Sequence, residues 1–91
     1  MSAPIKNYIV TAHAVFEMQR RGIGDEILRK VLTSPELRET VRERRDILQS
    51  RIPFQGVIYL MRVFVDVDLS PPEVVTVYRT SKLSKYWKDM S

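Results

Sequence analysis

Apolar and polar positions change period partway along the chain. With residues from Ala12 to Arg21 placed at about 100° each, Val15, Met18, Ala12, Phe16 and Ala14 fall on one broad arc. His13, Glu17, Arg20 and Arg21 gather on the opposite side. This predicts an amphipathic helix with Thr11 as its N-cap and Gly22 as its stop. A second helix is predicted from Asp25 to Leu32, opened by Gly24 or Asp25. Ile27, Leu28, Val31 and Leu32 repeat in it at helical spacing. It ends at Ser34-Pro35, because the residue before proline resists the α conformation. Gly22-Ile23-Gly24 joins the two into a helical hairpin, and residues 1–10 read as a lead-in.

From Glu36 the helical period is lost. Leu37 to Arg44, charged around Val41, reads as an edge strand, with a helical extension as the alternative. Arg45-Asp46 reads as a turn, Ile47 to Ile52 as a weakly alternating segment, and Pro53 to Gly56 as a break. Val57 to Asp66 is the strongest strand signal, predicted central and buried on both faces. Asp68 to Pro72 is a loop, Glu73 to Thr80 the next strand, and Leu83 to Lys88 a short closing helix. The whole reads as one α+β domain, residues 1–91. Two N-terminal helices pack on one face of a small, mostly antiparallel sheet of about four strands, followed by a short C-terminal helix.

Composition narrows the function classes. The absence of cysteine excludes disulfides and thiolate metal sites. With His13 the single histidine, zinc would need several carboxylate ligands, so no metal and no cofactor are expected. No run approaches the ~20 apolar residues of a membrane span. Met1 to Lys6 lacks the apolar core of a signal peptide, so a cytoplasmic protein with no membrane contact is expected. The net charge of +4 points to an anionic partner, nucleic acid first. A basic domain with no such partner is the alternative. Ten of the 15 cationic residues are arginine, whose planar fork suits phosphate.

Several side chains carry candidate chemistry. His13 is the default proton-transfer residue on its helix, unless it is simply solvated. Arg20 and Arg21 lie two turns further along the same polar side and could hold a phosphate. They could equally be cations at the helix C-terminus, where the dipole favours them. Arg62 interrupts an apolar strand, as the floor of an active site or in a salt bridge to Glu73 or Asp66. By strand alternation Thr76, Tyr78 and Thr80 share one face, and Val75, Val77 and Arg79 the other. Lys82, Lys85, Tyr86 and Trp87 follow. Cations beside aromatics can hold phosphates and stack unpaired bases. Trp87 could instead anchor the C-terminal segment to the core.

Two segments together carry a resemblance. Thr11-Ala12-His13-Ala14 with Met18-Gln19-Arg20-Arg21-Gly22-Ile23 has the form H-A-x-x-x-M-x-x-R-G-I. Val75-Thr76-Val77-Tyr78-Arg79-Thr80-Ser81-Lys82 is followed by Lys85-Tyr86-Trp87. The pairing resembles a bacterial family of small domains of unknown function, placed near the RelE/ParE-type toxins of the barnase–EndoU–colicin–RelE fold. The resemblance runs from about residue 8 to residue 87. It implies helices followed by a four-stranded antiparallel sheet, and a toxin-like, metal-free endoribonuclease of a toxin–antitoxin or related system. The implied partners are RNA and a cognate antitoxin. The family's matching polar positions are His13, Arg21, Thr76 and Tyr78, with Thr80 and Lys82 beside them.

On this reading His13 transfers protons, with Arg21, Thr76 and Tyr78 completing the catalytic group. Arg20, Arg62, Thr80, Lys82, Lys85, Tyr86 and Trp87 bind the substrate. The alternative is a non-catalytic ParE-like protein-binding module, or an RNA-binding domain. A polar edge strand could also pair with an antitoxin or with a second copy, giving a homodimer. Helix geometry sets a condition on the site. If the apolar arc faces the sheet, His13 reaches only the end or edge of the strand that carries Thr76 and Tyr78.

Overall fold

A computed structural model describes residues 4–87. The elements run β1 (Ile9–Val10), α1 (Ala12–Arg21), α2 (Asp25–Thr33), β2 (Leu37–Arg42), β3 (Arg45–Phe54), β4 (Val57–Asp66), β5 (Glu73–Thr80) and α3 (Leu83–Tyr86). The predicted end of the last helix, Lys88, lies outside the described residues. One mixed sheet has the order β1-β5-β4-β3-β2. All neighbours are antiparallel except β1 and β5, which run parallel. The architecture is therefore α+β, with five strands rather than about four. The added strand is Ile9–Val10, read above as part of a lead-in. It is two residues long because Thr11 immediately caps α1: the Ala14 amide donates to Thr11 Oγ1 at 3.2 Å.

α1 stops at Gly22, whose φ of 68° is the left-handed C-cap conformation that glycine adopts at least cost. Its orientation differs from the apolar arc. Ala14, Glu17 and Met18 face inward, whereas Phe16 is 59% exposed and Val15 39%. Glu17 goes inside because Arg20 and Arg21 both pair with its carboxylate, which offsets the cost of burial.

Two turns also differ from the pattern. Asp46 is a buried strand residue rather than a turn residue, because Arg38 Nε and Thr40 Oγ1 donate to its carboxylate at 2.8 and 2.9 Å. The chain reverses at Glu43-Arg44 instead. Pro53 stays in β3, opposite Ile58 and beyond the last rung with β2, where its missing N–H interrupts no ladder on that side. The hairpin turns at Gln55-Gly56, both at positive φ (52° and 82°), the two-residue geometry that matches strand twist.

β3 and β4 are central strands. From Asp46 to Ser50 five consecutive residues are buried, which requires cover on both faces of the sheet. One face carries Leu48, Ile52, Met61, Val63, Val65, Val74 and Val77 into the main core with Ala14, Met18, Leu28, Val31 and Leu32 of the helices. A register shift at Phe64/Val65 places Val75 as an extra residue, so Val74 and Val77 both reach this core. Ile47 and Leu60 are also buried, but they lie outside that core, on the opposite face.

Candidate functional site

The face opposite the helices is where the chemistry gathers. The pairs Gln49–Arg62, Arg62–Tyr78, Phe64–Thr76 and Leu60–Thr80 are rungs of adjacent strands, so these side chains share that face. Arg62 is its centre. Its Nε donates to Gln49 Oε1 at 3.0 Å, and Nη1 donates to the Tyr78 hydroxyl. The guanidinium carbon stands 4.1 Å from the Tyr86 ring centroid and 5.6 Å from those of Phe64 and Tyr78. Phe64 and Tyr78 stack on each other at 6.2 Å.

Among the described residues no carboxylate compensates Arg62. Asp66, one expected partner, is taken by Arg45 at 2.6 Å, and Glu73, the other, makes no ion pair with it. A half-buried guanidinium held by aromatic faces, an amide and a phenol keeps its full charge available to an anion.

α3 crosses this face. Tyr86 lies over Arg62, and Trp87 lies 4.5 Å from the Arg51 guanidinium, which is itself paired with Glu36. Trp87 thus works at least as an anchor of the C-terminal turn. Lys82 and Lys85 are exposed beside it, and neither has a carboxylate partner among the described residues. The Lys85 ammonium beside the Tyr86 phenol lowers that phenol below the ordinary tyrosine range, with the Arg62 charge adding to the effect. Thr76 and Thr80 are half-buried on the same face, and Thr80 Oγ1 accepts from the Lys82 amide at 3.1 Å.

Charge is distributed unevenly. Arg38, Arg44 and Arg45 at one end of the sheet are paired with Asp46, Asp68 and Asp66. Between Glu73 and Asp89 the sequence has no acidic residue. Among the described residues, Lys82 and Lys85, the cations that follow β5, therefore have no acidic neighbour close in sequence.

The predicted site residues divide between the two faces. Arg62, Thr76, Tyr78, Thr80, Lys82, Lys85, Tyr86 and Trp87 come together on the face described. His13 does not join them. It is exposed on α1, which packs against the face of β5 that carries Val74 and Val77, while Thr76 and Tyr78 point away from it. Arg20 and Arg21 also lie on the helix side, both bound to Glu17.

Sequence reasoning missed Gln49 and Phe64. Their roles depend on the register between β3, β4 and β5, which no local pattern specifies. It also passed over Arg79, which donates to the Arg21 carbonyl at the end of α1 and stacks 4.2 Å from the Phe54 ring. Among the described residues no three His, Asp or Glu side chains gather as metal ligands would, and no helix is long and apolar enough to cross a membrane. In comparisons with known proteins, no family model matches the chain, and no curated protein or solved structure matches it significantly.

Proposed function

We propose that this protein is a toxin-like endoribonuclease of the cytoplasm, related to the RelE/ParE-type toxins, and that its working surface is the sheet face around Arg62. The observation that carries this reading is a guanidinium with no carboxylate partner among the described residues, fixed by Gln49, Tyr78 and Tyr86 beside two exposed lysines. Such a group binds a phosphate through charge-assisted hydrogen bonds, and the surrounding rings can stack flanking bases.

Cleavage would use the ribose itself. A base removes the 2′-hydroxyl proton, and the 2′-oxygen attacks phosphorus to form a cyclic phosphate. The 5′-oxygen leaves with a proton from an acid. Tyr86, with its lowered phenol, suits the base, and Lys85 or Lys82 suits the acid. Arg62 stabilises the charge that builds on the phosphorane. This moves proton transfer from His13 to Tyr86.

The test is cleavage of bulk RNA in EDTA by the wild-type protein and by Tyr86→Phe, Lys85→Gln and Arg62→Gln. Loss of a general acid or base should lower the rate about 10²–10⁴-fold. Lys85→Gln should also raise the pH at which the Tyr86 phenol ionises, read from tyrosinate absorbance. RNA retained without products, in wild type as in variants, would instead support the RNA-binding domain.

A further inference from the structure

The C-terminal end of β5 is open on one side. β1 pairs only with Glu73 and Val74, so among the described residues no strand covers that edge of β5 beyond this point. There, on the helix side, Arg21, Tyr59, Arg79, Thr80 and Ser81 line an open notch of about 380 Å³. Alternation along β5 sends Arg79 to the helix side and Thr80 to the face that holds Arg62, and both are reached from the strand end.

The notch is positive and held in place. Among the described residues, Arg20, Arg21 and Arg79 stand against a single carboxylate, Glu17, which Arg20 and Arg21 share. Arg79 has no carboxylate partner among the described residues. Its guanidinium is clamped between the Phe54 ring at 4.2 Å, the Tyr59 ring at 5.4 Å and the Arg21 carbonyl. A clamped arginine fork loses little freedom on meeting a phosphate. Around the end of the strand, Lys82 and Lys85 continue the positive surface towards Arg62. The Arg62–Tyr78 rung is two residues from the Leu60–Thr80 rung, about 7 Å along the strand. The path from Arg62 to the notch adds to this the turn around the strand end from one face of the sheet to the other.

We infer that this notch is a second phosphate subsite for single-stranded RNA, and that the bound strand crosses the end of β5 from one face of the sheet to the other. The inference rests on the RNA reading given above but uses different residues. The commitment is to a phosphodiester chain long enough to occupy both places.

The experiment compares a uridine trinucleotide with a uridine decanucleotide, each labelled, for binding to the full chain across a salt series. Ser81→Asp is the principal variant. Ser81 is exposed, so the change adds a carboxylate to the notch without removing a folded contact. It should weaken the decanucleotide severalfold and flatten its log–log salt slope by about 0.7. The trinucleotide, short enough to sit at Arg62 alone, should bind as to wild type. Arg79→Gln should repeat this pattern, with thermal unfolding showing whether the variant is folded.

Wild-type decanucleotide binding in both notch variants would overturn the subsite. Arg62→Gln separates the two ideas, because it should weaken both oligonucleotides. If it weakens neither while Ser81→Asp still weakens the decanucleotide, the notch stands and the Arg62 surface falls. If the wild-type protein binds neither oligonucleotide, both fall together.

Discussion

Replacing Arg62 with methionine tests the centre of the site, because the structure ties that residue to stability and to ligand binding in separable ways. Gln49 is 1% exposed, so losing the Arg62 donor leaves its Oε1 with no water to turn to. Its Nε2 is already buried without a partner among the described residues. An unsatisfied buried acceptor costs about 1–3 kcal/mol. The lost contact with the Tyr86 ring adds about 0.5–1 kcal/mol. Removing a half-buried charge recovers about 1 kcal/mol of desolvation. The net expectation for Arg62→Met is a loss of about 2 kcal/mol, or a drop in Tm of roughly 10 °C for a chain of this size.

The paired variant Gln49→Leu/Arg62→Met removes both ends of the hydrogen bond. It should lie within about 1 kcal/mol of wild type, since replacing both partners by apolar groups leaves nothing stranded. RNA affinity should fall in both variants, because the charge is gone in both. Urea unfolding at constant m measures the first quantity, and fluorescence anisotropy with labelled RNA the second. If the paired variant is as unstable as the sum of the single changes, the Gln49–Arg62 contact does not carry the energy assigned to it. If the paired variant keeps wild-type RNA affinity, Arg62 is a structural charge and the proposed surface is wrong.

Three further outcomes are expected. His13→Ala should leave RNA binding and cleavage unchanged, since His13 is exposed on the helix side; a large loss of rate would return proton transfer to the helix. The Arg45 hydrogen bond holds the Asp66 carboxyl below its ordinary value of 3.8, so the folded state takes up that proton less readily than the unfolded one. The stability this gives is complete above that pH and lost as pH falls through the lower folded value; Asp66→Asn should flatten the acid limb of stability against pH, and an unaltered limb would remove the pair from the account. Leu48, fully buried in the main core, should cost about 2–5 kcal/mol when cut to alanine; denaturant midpoints check this, and a cost below about 1 kcal/mol would mean that the helix–sheet core is not packed as described.

Much of the fold is written locally in the chain. Thr11 and Gly22 bound α1 because a hydroxyl cap and a glycine at positive φ act within one turn. β4 and β5 run over the residues that the apolar and β-branched runs predict, because strand periodicity needs only near neighbours. Alternation likewise placed Thr76, Tyr78 and Thr80 together, with Arg79 opposite. Long-range contacts decided the rest. Asp46 enters a strand only because Arg38 and Thr40, on another strand, satisfy it. Glu17 turns inward, and Phe16 outward, because a carboxylate shared by two arginines can be buried on a packed face. Ile9–Val10 becomes a strand only where β5 offers an edge 64 residues later, at the Ile9–Glu73 rung. The site follows the same division. Residue types named the candidate side chains, while strand register and the packing of α1 chose among them. Those two features put Gln49 and Phe64 beside Arg62 and left His13 on the far side of the sheet.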